Sequence, residues 1–164
     1  MPHKLVYYGY PSLKKASSPV ASFDVGLKDL AKEMLQIMKE HKGVGLAAPQ
    51  IGVNKRLITI TLDDKDFIFV NPKITKTFGD QIDSTEGCLS LPGIEVTVRR
   101  YLDVSFEFQN LEGKKITINK VEGLFAIALQ HEIDHLDGIL LVDKISLLKK
   151  LRLSKKLKKI EEMN

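Results

Sequence analysis

The sequence predicts an α+β fold in which antiparallel β-sheets pack around a central helix, with one helix before the strands and a basic amphipathic helix at the C-terminus. Apolar residues follow helical spacing in residues 27–38, favour strands in short runs between residues 58 and 118, and return to helical spacing after Gly123. Because the predicted strands are grouped ahead of the central helix, antiparallel pairing is favoured over alternating βαβ units.

The first predicted helix begins after Asp24, whose carboxylate is a suitable N-terminal cap. Its apolar positions, from Leu27 to Met38, recur at intervals of three and four residues, which is typical of a helix with one buried face. Gly43 is predicted to end this helix, because glycine commonly follows a helix in the left-handed conformation.

Five short strands are predicted after this helix, with turns at Asp63-Asp64 and Glu112-Gly113. Asn71-Pro72 is expected to break the second strand. The last three strands are expected to form an antiparallel meander. The predicted strands comprise residues 58–61, 67–70, 94–98, 104–108 and 116–118.

The central helix contains His131, Glu132 and His135 in an H-E-x-x-H sequence. Side chains four residues apart share one helix face, so both imidazoles can bind one divalent metal while the glutamate reaches a metal-bound water. The alternative is a solvated helix face with two ordinary histidines. Three apolar residues on the same face predict either a wall for a substrate side chain or ordinary core packing: Leu124, Ile127 and Ala128.

A catalytic metal generally takes three protein ligands, so a third ligand is needed outside this helix. The histidine that often follows six residues after the second one is absent, because position 141 is Leu141. Cys88, the single cysteine, lies in a segment bounded by Gly87 and Pro92. It is either the third ligand, as a thiolate, or a buried inert residue.

Composition limits the class of protein. With 164 residues, 43% of them hydrophobic, the chain is expected to form one domain, residues 1–164. A single cysteine cannot form an intramolecular disulfide, which favours the cytoplasm. The first 15 residues lack the apolar core of a signal peptide, and no apolar run is long enough to cross a membrane.

The positive charge is concentrated at the C-terminus. The whole chain has a formal charge of +4. From Leu147 onward it contains seven basic residues and two acidic ones. A helix at about residues 146–162 would place most of these charges on one side and leucines on the other. This pattern predicts either a solvated surface or a site for RNA phosphates.

Three segments together point to a family. Residues 43–50, 86–90 and 130–138 read GVGLAAPQ, EGCLS and QHEIDHLDG, and in this order they resemble the three motifs of peptide deformylase. The resemblance extends from about residue 5 through the C-terminal helix. Two positions depart from the pattern: Arg99 stands where a proline commonly precedes Arg100, and Glu95 stands where some members have a basic residue.

The resemblance implies removal of the N-formyl group from the initiator methionine of nascent polypeptides. It implies that Cys88, His131 and His135 bind one divalent metal ion, with Fe²⁺ as the common native ion; Zn²⁺, Ni²⁺ or Co²⁺ also suit this donor set. Glu132 would transfer the proton, while the Gln50 side chain and the Leu89 backbone N–H stabilise the oxyanion.

The resemblance also implies a binding site for the substrate. The methionine side chain and the peptide backbone are expected to contact Gly43, Val44, Gly45, Leu124, Ile127 and Ala128. Glu86 and Arg100 are expected to form an ion pair that supports the Cys88 loop or a metal ligand. The alternative is a surface salt bridge, and Asp134 is open to the same two interpretations. The expected partners are formylated nascent peptides and, through the basic helix, the ribosome, and the protein is expected to be a monomer.

Two other functions remain open from the sequence. One is a different H-E-x-x-H metallopeptidase that cleaves internal amide bonds. The other is a non-catalytic ribosome-binding or RNA-binding module with a structural metal. The enzyme is favoured, because a structural metal site has no use for Glu132 or Gln50.

Overall fold

The computed structural model describes residues 2–164; Met1, the first residue of the predicted domain, lies outside the described residues. The strands form one antiparallel sheet in the order β1-β2-β3-β4-β5, and with the helices they confirm the α+β class. No helix of residues 2–164 has the length and apolar character needed to cross a membrane. The helices are α1 (Val25–Glu40), α2 (Gly123–Leu136), α3 (Leu147–Arg152) and α4 (Ser154–Glu161), and the strands are β1 (Gly45–Ala47), β2 (Leu57–Leu62), β3 (Lys65–Gly87), β4 (Glu95–Gln109) and β5 (Lys115–Glu122).

Helix α1 begins where the sequence predicts but ends earlier. The Asp24 carboxylate accepts a hydrogen bond from Leu27 N at 3.0 Å. The prediction that Gly43 ends the helix was wrong, since α1 stops at Glu40 and Lys42 adopts the left-handed conformation, with φ of 57°. Gly43 N then donates to Met38 O, which closes the helix end as a Schellman motif.

The predicted strands are correct in place but too short. Asn71-Pro72 does not break the second strand, because β3 continues to Gly87 by exchanging its partner β2 for β4. Asn71 has φ of 50° and accompanies a shift in register between Val70 and Lys73, so the chain bulges there and pairing resumes. The predicted strands at residues 94–98 and 104–108 are likewise one strand, β4.

Helix α2 packs its apolar face against the sheet. Phe125 makes an edge-on contact with Phe67, with ring centroids 5.1 Å apart. We call the buried residues between α2 and the sheet the sheet cluster; it comprises Ala47, Ile58, Ile60, Phe69, Val104, Phe106, Ala126, Leu129, Ile133 and Leu136. This packing holds one face of α2 against the sheet. The helix therefore cannot rotate, and the H-E-x-x-H residues stay turned toward the site.

The predicted helix at residues 146–162 is interrupted. Leu153 separates α3 from α4, and the two helices differ in burial. Leu157 and Ile160 of α4 are buried, whereas Leu151 of α3 is 60% exposed. Because the helix is interrupted at Leu153, α3 does not continue the buried face of α4.

The two ends of the chain meet beneath the segment that follows β3. Asn164 Oδ1 accepts a hydrogen bond from Tyr7 N at 2.8 Å, and its side-chain nitrogen donates to Tyr8 O. We call the buried residues of this region the terminal cluster; it comprises Leu13, Leu91, Ile94, Val96, Val98, Leu140, Leu141, Val142, Leu157 and Ile160. Cys88 packs against this cluster, so both chain ends support the cysteine loop.

Candidate metal centre and active site

Three potential metal ligands come together where the segment after β3 meets α2. Cys88 Sγ lies 3.3 Å from His135 Nε2, which lies 3.2 Å from His131 Nε2. All three ligand atoms are within 4.8 Å of one another. Two nitrogens bound to one tetrahedral ion would stand roughly 3.3 Å apart, so the observed spacing fits a shared metal.

The hydrogen bonds of His131 leave its other nitrogen available as a ligand. His131 Nδ1 lies 2.9 Å from Glu86 Oε1 and donates its proton to that carboxylate, so Nε2 keeps its lone pair. The buried His135 Nδ1 has no hydrogen-bond partner within residues 2–164. One thiolate and two imidazoles form a donor set for a divalent transition metal, and ligand type alone does not select the ion.

Burial disfavours the charged form of both rings, but only His131 has hydrogen bonds that outweigh this effect. Burial lowers the pKa of His135 well below its ordinary value. Burial also opposes the charge on His131, but hydrogen bonds with Cys88 and Glu86 outweigh it and raise the pKa of His131. Rings this close cannot both be charged, and a bound cation replaces the proton that they would otherwise hold.

Glu132 presents a free carboxylate oxygen beside the three ligands. The residue is 4% exposed, and its Oε2 has no hydrogen-bond partner among the described residues. Burial raises the pKa of Glu132 to about 7, which suits a group that accepts and then returns a proton. The carboxylate lies against Gly45, where an added methyl group would stand 2.8 Å from Glu132 Cδ. Glycine in β1 is therefore required for this position of the carboxylate.

A buried ionic network supports His131. Arg100, which is 2% exposed, donates to both Glu86 oxygens at 2.9 and 3.1 Å and to Asp134 Oδ2 at 2.6 Å. Burial alone would raise the pKa of Glu86, but the hydrogen bonds from His131 and Arg100 lower it to about 2. Glu86 therefore stays ionised, and its burial distinguishes this pair from a surface salt bridge.

Two hydrogen-bond donors lie next to Cys88. Gln50 Oε1 accepts from Ala47 N at 2.9 Å, which turns Gln50 Nε2 toward Cys88 Sγ, 3.5 Å away, and Ser90 Oγ, 3.3 Å away. The Leu89 backbone N–H has no acceptor within residues 2–164. An amide nitrogen fixed beside Cys88 and a backbone N–H without an acceptor are donors of the kind that stabilise a developing oxyanion.

An open cleft of about 400 Å³ leads to these groups. Val44 and Leu124 lie on its wall and are 47% and 59% exposed, which leaves apolar surface available to a ligand. Gly45 also lines the cleft and belongs to β1, an edge strand with one neighbour. The cleft is lined by Lys42, Gly43, Val44, Gly45, Gln50, Thr85, Glu86, Gly87, Cys88, Leu89, Leu124, Ile127, Ala128, His131 and Glu132.

The structure brings together all the site residues that the sequence suggested. All of them line the cleft except His135, which contacts Cys88 and His131 behind it, and Arg100, which lies behind Glu86. The sequence assigned no role to Ser90, which is fully buried and accepts from Gln50 Nε2. The available signal was its place in the EGCLS segment, two residues after Cys88.

The chain matches known proteins along nearly its whole length. The family model for polypeptide deformylase matches residues 2–151. A curated relative, the peptide deformylase of Dictyoglomus thermophilum, is 42% identical over 136 residues, which cover 83% of this chain and 88% of the relative.

Solved structures give the same result. The crystal structure of a peptide deformylase from Legionella pneumophila superposes with a TM-score of 0.91 at 40% identity, covering 99% of this chain and 97% of that chain. A peptide deformylase from Synechococcus elongatus, solved in complex with actinonin, has a TM-score of 0.89 at 38% identity and covers 94% and 88% of the two chains.

Proposed function

The chain belongs to the peptide deformylase family, and from this premise we propose which of its residues bind the metal and which carry out the hydrolysis. The protein is a metal-dependent hydrolase that removes the N-formyl group from the N-terminal methionine of nascent polypeptides and releases formate. The observation that carries the assignment of residues is the convergence of three ligand atoms beside the free carboxylate oxygen of Glu132.

Cys88 Sγ and the Nε2 atoms of His131 and His135 hold one divalent ion in this proposal. When bound, such an ion acts as a Lewis acid and lowers the pKa of a water molecule toward neutrality. Fe²⁺ is proposed as the native ion, as the resemblance to the family implies, and Zn²⁺, Ni²⁺ and Co²⁺ fit the same donors. Metal analysis after anaerobic purification tests this identity, and full occupancy by zinc without iron would contradict it.

Glu132 acts as the general base and then as the general acid. Its unpartnered Oε2 accepts a proton from the attacking water as the oxygen bonds to the formyl carbon. Glu132 then returns that proton to the methionine nitrogen as the C–N bond breaks. Water is thereby divided between the two products, formate and a free α-amino group.

Gln50 and Leu89 stabilise the charge that develops on the formyl oxygen. Gln50 Nε2 is held toward the site by the bond that Gln50 Oε1 accepts from Ala47 N, and the Leu89 N–H adds a second donor. Removing one such donor in comparable sites costs on the order of 3 kcal/mol in transition-state stabilisation.

The apolar part of the cleft receives the methionine side chain. Val44, Leu124, Ile127 and Ala128 supply this surface, and the peptide backbone pairs with the segment Gly43 to Gly45 as an added strand. Binding there places the formyl group beside Glu132, because Gly45 and Glu132 are in contact.

Formate release from formyl-Met-Ala-Ser tests the proposed roles after reconstitution with each metal under anaerobic conditions. Glu132→Ala should retain the metal and lose turnover, which a structural metal site does not predict. An unformylated peptide should remain intact, whereas a metallopeptidase of the other kind would cleave it. Absence of formate with every ion would contradict the proposal.

The basic helices are proposed as a contact for ribosomal RNA phosphates. Six basic side chains of α3 and α4 are exposed to solvent: Lys149, Arg152, Lys155, Lys156, Lys158 and Lys159. Deleting α4 would also remove the buried Leu157 and Ile160, so charge neutralisation is the cleaner test. Replacing Lys155, Lys156 and Lys159 by Gln should weaken ribosome binding steeply at low salt.

A matched control replaces three exposed lysines elsewhere, Lys32, Lys65 and Lys114, by Gln. Equal binding by the two triple variants would contradict the proposed contact.

We further propose that residues 1–164 act as one monomeric catalytic domain in the cytoplasm. Elution as a stable dimer in size-exclusion chromatography would contradict the monomer.

A further inference from the structure

A second cavity adjoins the cleft that we assign to the methionine. It has a volume of about 350 Å³ and shares two residues, Gly87 and Cys88, with the main cleft. Gly87 forms the last pair between β3 and β4, and Cys88 follows it directly. A peptide bound in the main cleft that continues past Cys88 would therefore enter the second cavity.

Glu95 is the charged residue on the wall of this second cavity. Its backbone pairs with Gly87 across the two strands, and its Cγ lies 3.9 Å from the position that a Gly87 side chain would occupy. Gly87 carries no side chain, so the Glu95 side chain lies at the junction of the two cavities. Glu95 is exposed and has no ion-pair partner among residues 2–164, so its charge is available to a ligand.

The other charged residues near the two cavities are paired, buried or part of the main cleft. Glu86 is neutralised by Arg100, and Glu132 is buried beside the metal ligands. Lys42 is the other exposed charge, and it lines the main cleft next to Gly43. The second cavity therefore presents a net negative wall to the part of the peptide that enters it.

We propose that Glu95 makes the enzyme favour formylated peptides that carry lysine or arginine in the residues following the methionine. This inference rests on the deformylase activity proposed above and concerns its choice of substrate. Because an exposed ion pair contributes modestly, the preference for lysine over glutamate in such peptides should be about threefold in kcat/KM at low ionic strength. The contact is made equally in the bound substrate and the transition state, so the difference should lie in KM.

The experiment compares wild-type and variant enzymes on formyl-Met peptides with Lys, Gln or Glu at each of the two positions after methionine. Glu95→Gln should abolish the preference for Lys over Glu, and Glu95→Lys should reverse it. Raising the salt concentration to about 0.5 M should reduce the preference of the wild type by screening. Glu112→Gln is the matched control, since Glu112 is an exposed glutamate at the turn between β4 and β5, beside Lys28.

The outcomes separate this inference from the proposed activity. Failure to release formate from the neutral Gln peptides would overturn the activity itself. Two results with normal turnover of the Gln peptides would overturn the role of Glu95 alone. One is a preference for Lys that survives in Glu95→Gln, and the other is the absence of any preference in the wild type.

Discussion

Gly45 lies directly against the Glu132 side chain. A methyl group there would meet the Glu132 carboxylate carbon at 2.8 Å, so Gly45→Ala should displace the carboxylate from its place beside the ligands. We expect kcat to fall at least a hundredfold, the contribution typical of a positioned acid–base group. Formate release and metal content of the purified variant measure this.

Gly26→Ala provides the control for this glycine substitution. Gly26 lies in the first turn of α1 and does not line the cleft, and alanine is the better helix former. Its activity should match the wild type. Full activity in Gly45→Ala would show that Glu132 does not need its present position.

Glu86 is expected to influence metal affinity through the orientation of His131. Glu86→Gln keeps the shape of the side chain but weakens its bonds to His131 Nδ1 and Arg100. We expect the metal affinity to fall about 10- to 100-fold, as for other groups that orient a metal-ligating histidine. Competition with a chelator of known affinity measures this change.

Asp134→Asn separates the orientation of His131 from general effects on the network. Asp134 contacts the same Arg100 but has no hydrogen bond to His131. Its substitution should therefore reduce metal affinity less than Glu86→Gln does. Equal losses in the two variants would mean that Glu86 acts through Arg100 and not through His131.

The sequence predicted the local parts of the site better than the long-range ones. His131 and His135 are readable because helical spacing alone places them on one face. Cys88 remained one of two alternatives until the motifs were considered together, because nothing local brings it to α2. The contact of Arg100 with Asp134 joins residues 34 positions apart, so it depends on how β4 packs on α2.

Helix boundaries and strand lengths were likewise predicted correctly where local contacts set them and wrongly where distant contacts do. The start of α1 follows from the local Asp24 cap. Its end does not follow from the nearest glycine, because the position of Gly43 is constrained by Leu89, whose Cδ1 lies 2.6 Å from where a Gly43 side chain would begin. The continuation of β3 past Pro72 likewise depends on β4 as a new partner, which the local sequence does not reveal.

Asp143 links the N-terminal segment to α3 and should make their association sensitive to acid. It lies 2.6 Å from Lys14 Nζ, accepts from Leu140 N at 2.8 Å and pairs with Lys150 of α3 at 3.2 Å. Burial alone would raise the pKa of Asp143, but these partners, Lys14 first, lower it below the ordinary value. Asp143→Asn should reduce the free energy of unfolding at pH 7 by about 1–2 kcal/mol.

The pH dependence follows from the lowered pKa of Asp143. Its stabilisation is fully present above the unfolded pKa, near pH 4, and is lost as the pH falls through the lower folded pKa. Denaturant melts at several pH values should therefore show the wild type and Asp143→Asn converging in acid. Asp64→Asn, at an exposed position in the turn between β2 and β3, is the matched control. A gap between wild type and Asp143→Asn that persists at pH 2 would contradict this assignment.

The proposed metal joins two separately packed parts of the molecule. Cys88 packs on the terminal cluster, which holds both chain ends, whereas His131 and His135 lie on α2, whose apolar face belongs to the sheet cluster. Cys88 Sγ lies 3.3 Å from His135 Nε2, which lies 3.2 Å from His131 Nε2, so the ligand atoms bridge these parts. A bound ion therefore stabilises the association of the two clusters as well as providing the chemistry.

Removing the metal should loosen this junction and leave the sheet intact. With the ion at about a thousand times its dissociation constant, chelation should lower the free energy of unfolding by about 4 kcal/mol. Hydrogen exchange should accelerate in residues 88–94 and in the last turn of α2. Strand β2 and the adjoining part of β3 should keep their protection, because their pairing and the sheet cluster do not involve the ligands. His135→Ala, which lacks one ligand, should respond little to the chelator. Unchanged stability after verified metal loss from the wild type would show that packing alone holds the cysteine loop against α2.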